Sequence, residues 1–302
     1  WRAGVPRIVH TYHGFPFHEF QSRPRRGAYI AIERRLGRIT DVALCVGTGV
    51  AVEAVRRGLV RPERIRTIGV AVTQGPARDP GARARARREL GIAPDATVVG
   101  AVGRLTYQKA PEDFITVIAE LARRRSRDQD RDQHRDQDRD RDVVGVWVGG
   151  GELAGRIRQL AGGLPAHRLV LAGERADVPQ ILPAFDVFAL PSRYEGLPTA
   201  VVEAMVCGVP VVATAVNAVS DVVVPGETGL LVPPRRPKLM AEAVGYLLDC
   251  PAAADRMAAA ARERLGTRFS AGPLRDTLAA AYTGRQLPPA GSPQCPTQPH
   301  VA

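Results

Sequence analysis

Lysine is almost missing from this chain. Of 42 basic residues in 302, only Lys109 and Lys238 are lysines. Aromatic residues are also scarce, at 5%. They do not interleave with the arginine clusters, so the stacking surface of a nucleic-acid binder is not there, and nucleic acid is not an expected partner. No run of 18 or more apolar residues occurs, so no membrane-spanning helix is expected. The opening stretch WRAGVPRIVHTYHGF lacks the long apolar core of a secretory signal. The four cysteines, Cys45, Cys207, Cys250 and Cys295, show no CxxC spacing. Reduced thiols in a cytoplasmic protein are the expectation.

The net charge of +11 is unevenly placed. Residues 1–104 hold 19 arginines against eight acids, and the remaining residues sum to zero. A basic region of this kind suits an anionic membrane surface or a phosphorylated ligand, unless it simply follows the chain's arginine-rich composition.

Two segments do not read as fold. Residues 126–142, SRDQDRDQHRDQDRDRD, form a low-complexity run with nothing to bury, expected as a solvated insertion between a helix and a strand. His134 lies inside it. Residues 285–302 read as a disordered Pro-rich tail, with Cys295 and His300 as inert passengers. Elsewhere, short Val-rich runs alternate with helical patterns. Nine strands are expected, at 7–11, 42–46, 66–68, 97–102, 143–148, 168–172, 187–190, 209–213 and 229–232. That alternation predicts a doubly wound α/β architecture. Residues 97–232 supply about six strands, enough for one complete domain, whereas residues 1–70 supply about three. The first domain therefore reads as incomplete.

Ligands of open α/β sheets bind beyond the carboxyl ends of the strands. After strand 97–102 comes GRLTYQK, which places Arg104 and Lys109 in one loop. Two cations there suit a diphosphate. The run Gly149-Gly150-Gly151 follows strand 143–148 and would let a ligand approach the backbone. Arg175 follows strand 168–172, near a helix start. After strand 187–190 comes PSRYEGLPTAVVEAMVCGVPVVAT, residues 191–214. Pro198 suits the first turn of a helix and Gly208 its end. The amides of Leu197, Thr199 and Ala200 would then lack intrahelical acceptors and form an anion site. Glu195 precedes that helix, and Glu203 lies about a turn and a half inside it. Such a pair suits the hydroxyls of a sugar or ribose. Taken alone, Glu195 reads equally well as complementing the helix dipole, and Glu203 as an exposed helix position.

Together these motifs resemble the retaining glycosyltransferases of family four, the glycosyl transferases group 1, which have the GT-B fold of two Rossmann-like doubly wound domains. Glu195-Gly-Leu-Pro-Thr-Ala-Val-Val-Glu203 fits the family's E-x7-E, preceded by G-R-L-x-x-x-K and followed by P-G-E-T-G-L-L-V-P-P. The match extends over roughly residues 92–284. The resemblance implies a truncated acceptor-side domain over 1–75, a nucleotide-sugar donor domain over 76–267 and a crossover helix over 268–284. It differs at Ala110, where Gly or Asn is common, and at Asn217-Ala218, where two glycines are common.

Carried over by position, the resemblance puts Arg104 and Lys109 on the donor pyrophosphate and Glu203 on the ribose hydroxyls. Glu195 falls on the transferred sugar, assisted by the amides near Gly196 and Leu197. His13 would face the reacting sugar, and His10 suits a packing role. The implied reaction transfers a sugar from a nucleoside-diphosphate sugar with retention of configuration. Cell-surface polysaccharide, glycolipid or glycosylated-metabolite synthesis is the implied setting. The resemblance implies no metal or other cofactor. The acceptor is open, with a lipid-linked one implied, and Arg25, Arg26, Arg34, Arg35 and Arg38 would support peripheral contact with the inner membrane face. A non-catalytic sugar-nucleotide binder is the rival reading.

Overall fold

The computed structural model describes residues 2–17, 21–73, 75–131, 142–165, 168–266 and 269–285. All but the first residue of the tail expected over 285–302, most of the low-complexity run, His134, Cys295 and His300 lie outside the described residues. The chain divides into two compact units, Trp1–Ala71 with Ser270–Ala302, and Val72–Phe269. The divisions at 71/72 and 269/270 lie within a few residues of the 75/76 and 267/268 expected from sequence.

The first unit begins with β1 (Val9–Tyr12), α1 (Arg23–Ile39), β2 (Val42–Cys45), α2 (Thr48–Arg56) and β3 (Ile65–Thr67). The strands pair in parallel in the order β1-β2-β3. Every residue of β2 is buried, as a central parallel strand requires. Helix α1 differs sharply, because Gly37 is its one buried residue.

The second unit opens with α3 (Pro80–Glu89), β4 (Thr97–Val102), α4 (Pro111–Arg131), β5 (Val143–Val148) and α5 (Ala154–Ala161). It continues with β6 (Leu169–Gly173), α6 (Val178–Ile181), β7 (Val187–Leu190), α7 (Thr199–Cys207) and β8 (Val211–Thr214). It ends with β9 (Leu230–Val232), α8 (Pro237–Asp249) and α9 (Pro251–Leu265), and α10 (Ala271–Thr283) returns to the first unit. All six strands are parallel, in the order β6-β5-β4-β7-β8-β9. This is the doubly wound Rossmann order, and its direction reverses between β4 and β7. The core under the sheet packs Phe114 edge-on to Trp147, with centroids 5.4 Å apart, among Val99, Ile118, Val187 and Met240.

The nine expected strands are all present, with shifts at their ends. One expectation needs correcting. Helix α4 runs on to Arg131, so the low-complexity run does not begin as loop. Arg and Gln are good helix formers, and an established helix propagates into them at little cost. The buried thiols behave as expected of inert cysteines. Burial pushes Cys45 up to about 12 and Cys207 up to about 11.

Candidate active site

The reversal between β4 and β7 brings two loops together at the carboxyl end of the sheet, residues 103–110 after β4 and 191–198 after β7. Three side-chain ties cross between them. Lys109 Nζ donates to Glu195 Oε1 at 2.6 Å. Gln108 Nε2 donates to Tyr194 O at 3.1 Å. Arg193 adds a third connection. Its amide donates to Gln108 O at 2.8 Å. Its guanidinium donates to Tyr107 O at 2.6 Å and lies 4.2 Å from the Tyr107 ring centroid. Arg104 is exposed, and its guanidinium donates to Gln108 Oε1 at 3.2 Å. One cation is thus presented to solvent while the other is held against a carboxylate.

Glu195 is 7% exposed, and its amide donates to Asn217 Oδ1 at 3.1 Å. Asn217 adopts φ 44°, in the left-handed region where Asn is tolerated better than most residues. The departure at position 217 therefore keeps the backbone shape that glycine would allow and adds an acceptor. Ala110, the other departure, also holds a left-handed φ of 51°.

Behind Glu195 stands α7. Pro198 is its N-cap rather than a residue of its first turn, and Gly208 closes it in the left-handed conformation. Among the described residues, the amides of Gly196, Leu197, Thr199 and Ala200 have no protein acceptor. They form the electropositive end of the helix, beside Glu195. Glu203 is half-buried in α7, so it is not the exposed position that its sequence context also allowed. It has no ionic or hydrogen-bonding partner among the described residues, and burial pushes its carboxyl above the ordinary range.

The glycine turn after β5 serves a different purpose from the one expected. A Cβ at Gly149 would lie 2.1 Å from Gly103 O, and one at Gly151 would lie 2.6 Å from Leu105 O. The neighbouring backbone, not a ligand, occupies that space. Leu105 N donates to Gly150 O at 2.6 Å, and Trp147 Nε1 donates to Gly103 O at 2.8 Å. The turn thus sets the height of the loop that carries Arg104. Arg175 is tied to Asp177 at 2.6 Å.

His13 lies in the first unit, exposed on the bend after β1. His10 is within β1, its ring 4.2 Å from that of Tyr12 and its Nε2 3.9 Å from Glu33 Oε2. Three contributors to the site carry no distinct signal in the sequence. Gln108 and Arg193 sit inside quoted motifs but carry no chemistry of their own. Asn217 was visible only as a departure from the family pattern.

The family model for glycosyl transferases group 1 matches residues 82–264, more than half of the chain. The chain belongs to the glycosyl transferases group 1 family. Among curated relatives, the Escherichia coli UDP-Gal:alpha-D-GlcNAc-diphosphoundecaprenol alpha-1,3-galactosyltransferase is 33% identical over 221 residues, covering 71% of this chain and 53% of that one. The D-inositol 3-phosphate glycosyltransferase of Actinosynnema mirum is 34% identical over 212 residues, covering 67% and 48%. The chain thus spans about half the length of these curated relatives. Among solved structures, HepE of Anabaena in complex with UDP-glucose superposes with a TM-score of 0.74 at 21% identity, covering 92% of this chain and 72% of that one. The chain has the GT-B fold of this group 1 family.

Proposed function

We propose that this group 1 family member binds a nucleoside-diphosphate sugar at the β4–β7 switch point and transfers the sugar to an acceptor with retention of configuration. The observation that carries the reading is the meeting of Arg104, Lys109 and Glu195 in front of the unsatisfied amides of α7. Arg104, Lys109 and the helix end address the diphosphate, where charge builds as the nucleotide leaves. Glu195 accepts hydroxyls of the sugar, and Glu203 accepts those of the ribose. Cations and amides perform the role of a metal, and none is required. The carboxylates position the donor, so they are not an acid and nucleophile pair of the glycosidase kind. Attack comes from the face that the leaving diphosphate occupies, and His13 serves this step rather than binding.

Titration with UDP and GDP in the presence of EDTA tests the donor site. One of the two should bind the wild type. Each charge-assisted phosphate contact is worth about 1.5–3 kcal/mol, so Arg104→Ala with Lys109→Ala should reduce affinity by roughly 100-fold or more. Binding of neither nucleotide, or undiminished binding by the double variant, rejects the assignment. Hydrolysis of a donor panel by the wild type and by His13→Ala then separates transfer from binding alone. A variant with intact affinity and no turnover is the expected result.

A lipid-linked acceptor and contact with an anionic membrane extend this reading. The E. coli relative is named for a diphosphoundecaprenol-linked sugar. In this chain Ile32, Leu36 and Ile39 are 54%, 40% and 37% exposed on one face of α1, beside exposed Arg34, Arg35 and Arg38. An apolar stripe flanked by arginines is the pattern of a helix lying on a charged bilayer surface.

A further inference from the structure

The donor reading asks Lys109 to face a diphosphate and Glu195 to face sugar hydroxyls, yet the two hold each other at 2.6 Å. Their side chains are 15% and 4% exposed. Neither has another side-chain partner among the described residues. The stem of Lys109 packs over Gly103, where a Cβ would lie 3.2 Å from both Cδ and Cε. The ammonium head is therefore the part free to swing. A buried carboxylate stripped of its counter-charge is strongly unfavourable unless hydrogen-bond donors replace it.

Resting on that reading, we infer that Lys109 is exchanged between Glu195 and the donor diphosphate, so that the transferred sugar is itself a condition for tight diphosphate binding. A nucleoside-diphosphate sugar takes the ammonium with its phosphates and hands Glu195 hydroxyl donors in return. A bare nucleoside diphosphate takes the same ammonium and leaves Glu195 stranded. While the pair is closed, Arg104 faces the two diphosphate charges without Lys109, a mismatch that the exchange removes. Once the sugar has been transferred, its hydroxyls leave, Glu195 recovers Lys109, and the nucleotide product loses one of its two loop cations. Product release is then driven by the same pair that admitted the donor. Asn217 and Gln108, which bond the backbones of Glu195 and Tyr194, hold the carboxylate at the distance this exchange needs.

Calorimetric titration of the full chain with UDP, UDP-glucose, GDP and GDP-mannose tests the exchange. In the wild type the sugar nucleotide should bind about tenfold tighter than its bare diphosphate. Glu195→Gln, which keeps the shape and removes the charge, should tighten the bare diphosphate about tenfold and erase the preference. Adding Lys109→Gln to it should remove that gain. Lys109→Gln alone gives an independent readout, since it should cost both ligands about equally and leave the sugar preference intact, Glu195 being unpaired in that variant before either binds. Unchanged or weaker diphosphate binding by a folded Glu195→Gln chain overturns the exchange, as does loss of the sugar preference in Lys109→Gln. If no nucleotide binds the wild type, the donor site itself falls, and the exchange with it. If nucleotides bind through Arg104 and Glu195→Gln does not tighten the diphosphate, only the exchange falls.

Discussion

Glu203 places stability and function in opposition within one side chain. Burial raises its carboxyl above the ordinary range, and no partner among the described residues offsets that. Between the ordinary value and the raised one, the folded protein retains a proton that the unfolded chain has lost. Stability therefore falls as pH rises through this window and stays lower above it. Glu203→Gln should raise the melting temperature at pH 7–8, and the difference should vanish near pH 4, where both side chains are neutral. The same substitution should weaken nucleotide binding roughly tenfold by removing the charged acceptor of the ribose hydroxyls. Melting curves across pH, paired with titrations, check both halves. A variant that is less stable than the wild type at neutral pH contradicts the sign. In sequence this glutamate was only the second member of a spaced pair, because its half-buried, partnerless setting depends on what packs around α7.

Helix α3 illustrates how an element can be held by charge where its apolar face is narrow. Its sequence, PGARARARRE, offers two buried alanines and little else apolar. The arginines converge on Asp186, immediately before β7. Arg87, with its side chain 1% exposed, donates to Asp186 Oδ2 at 2.9 Å. Arg83 and the preceding Arg78 reach Oδ1 at 2.6 and 3.2 Å. The Val98 amide donates to Oδ2 at 2.8 Å and ties in the start of β4. Three cations share one carboxylate, so removing it leaves Arg87 buried without its counter-charge. Asp186→Ala should destabilise the second unit by about 3–5 kcal/mol, whereas Arg83→Ala, on the more open side, should cost under about 1 kcal/mol. Urea unfolding curves measure both, and equal effects would remove the special place given to Arg87. In the sequence these arginines are marked only by the basic excess of residues 1–104. Their partner lies about a hundred residues further along, and nothing local points to it.

At the scale of the whole chain, the charge is segregated. Residues 1–71 hold 13 arginines against five acids. Among the described residues no helix is long and apolar enough to cross a membrane. If the exposed face of α1 meets a bilayer, the chain should float with vesicles rich in anionic lipid and not with neutral ones. At about 1 kcal/mol per basic residue near the surface, Arg34→Glu with Arg35→Glu and Arg38→Glu should abolish flotation, and high salt should weaken it. Equal recovery with both vesicle types rejects the contact. The amino-acid sequence by itself determined the α/β alternation, the nine strands and the family. Valine-rich runs between helical periods are a local signal, and glycine, proline and spaced glutamates mark the loops that carry the site. Only the tertiary structure decided that Lys109 and Glu195, 86 positions apart, hold each other. It alone decided that Asn217 bonds the Glu195 amide, that the glycines after β5 make room for a neighbouring loop, and that three arginines converge on Asp186. Those pairings are fixed by strand order and close packing, which bring distant residues together with no trace in the spacing of either.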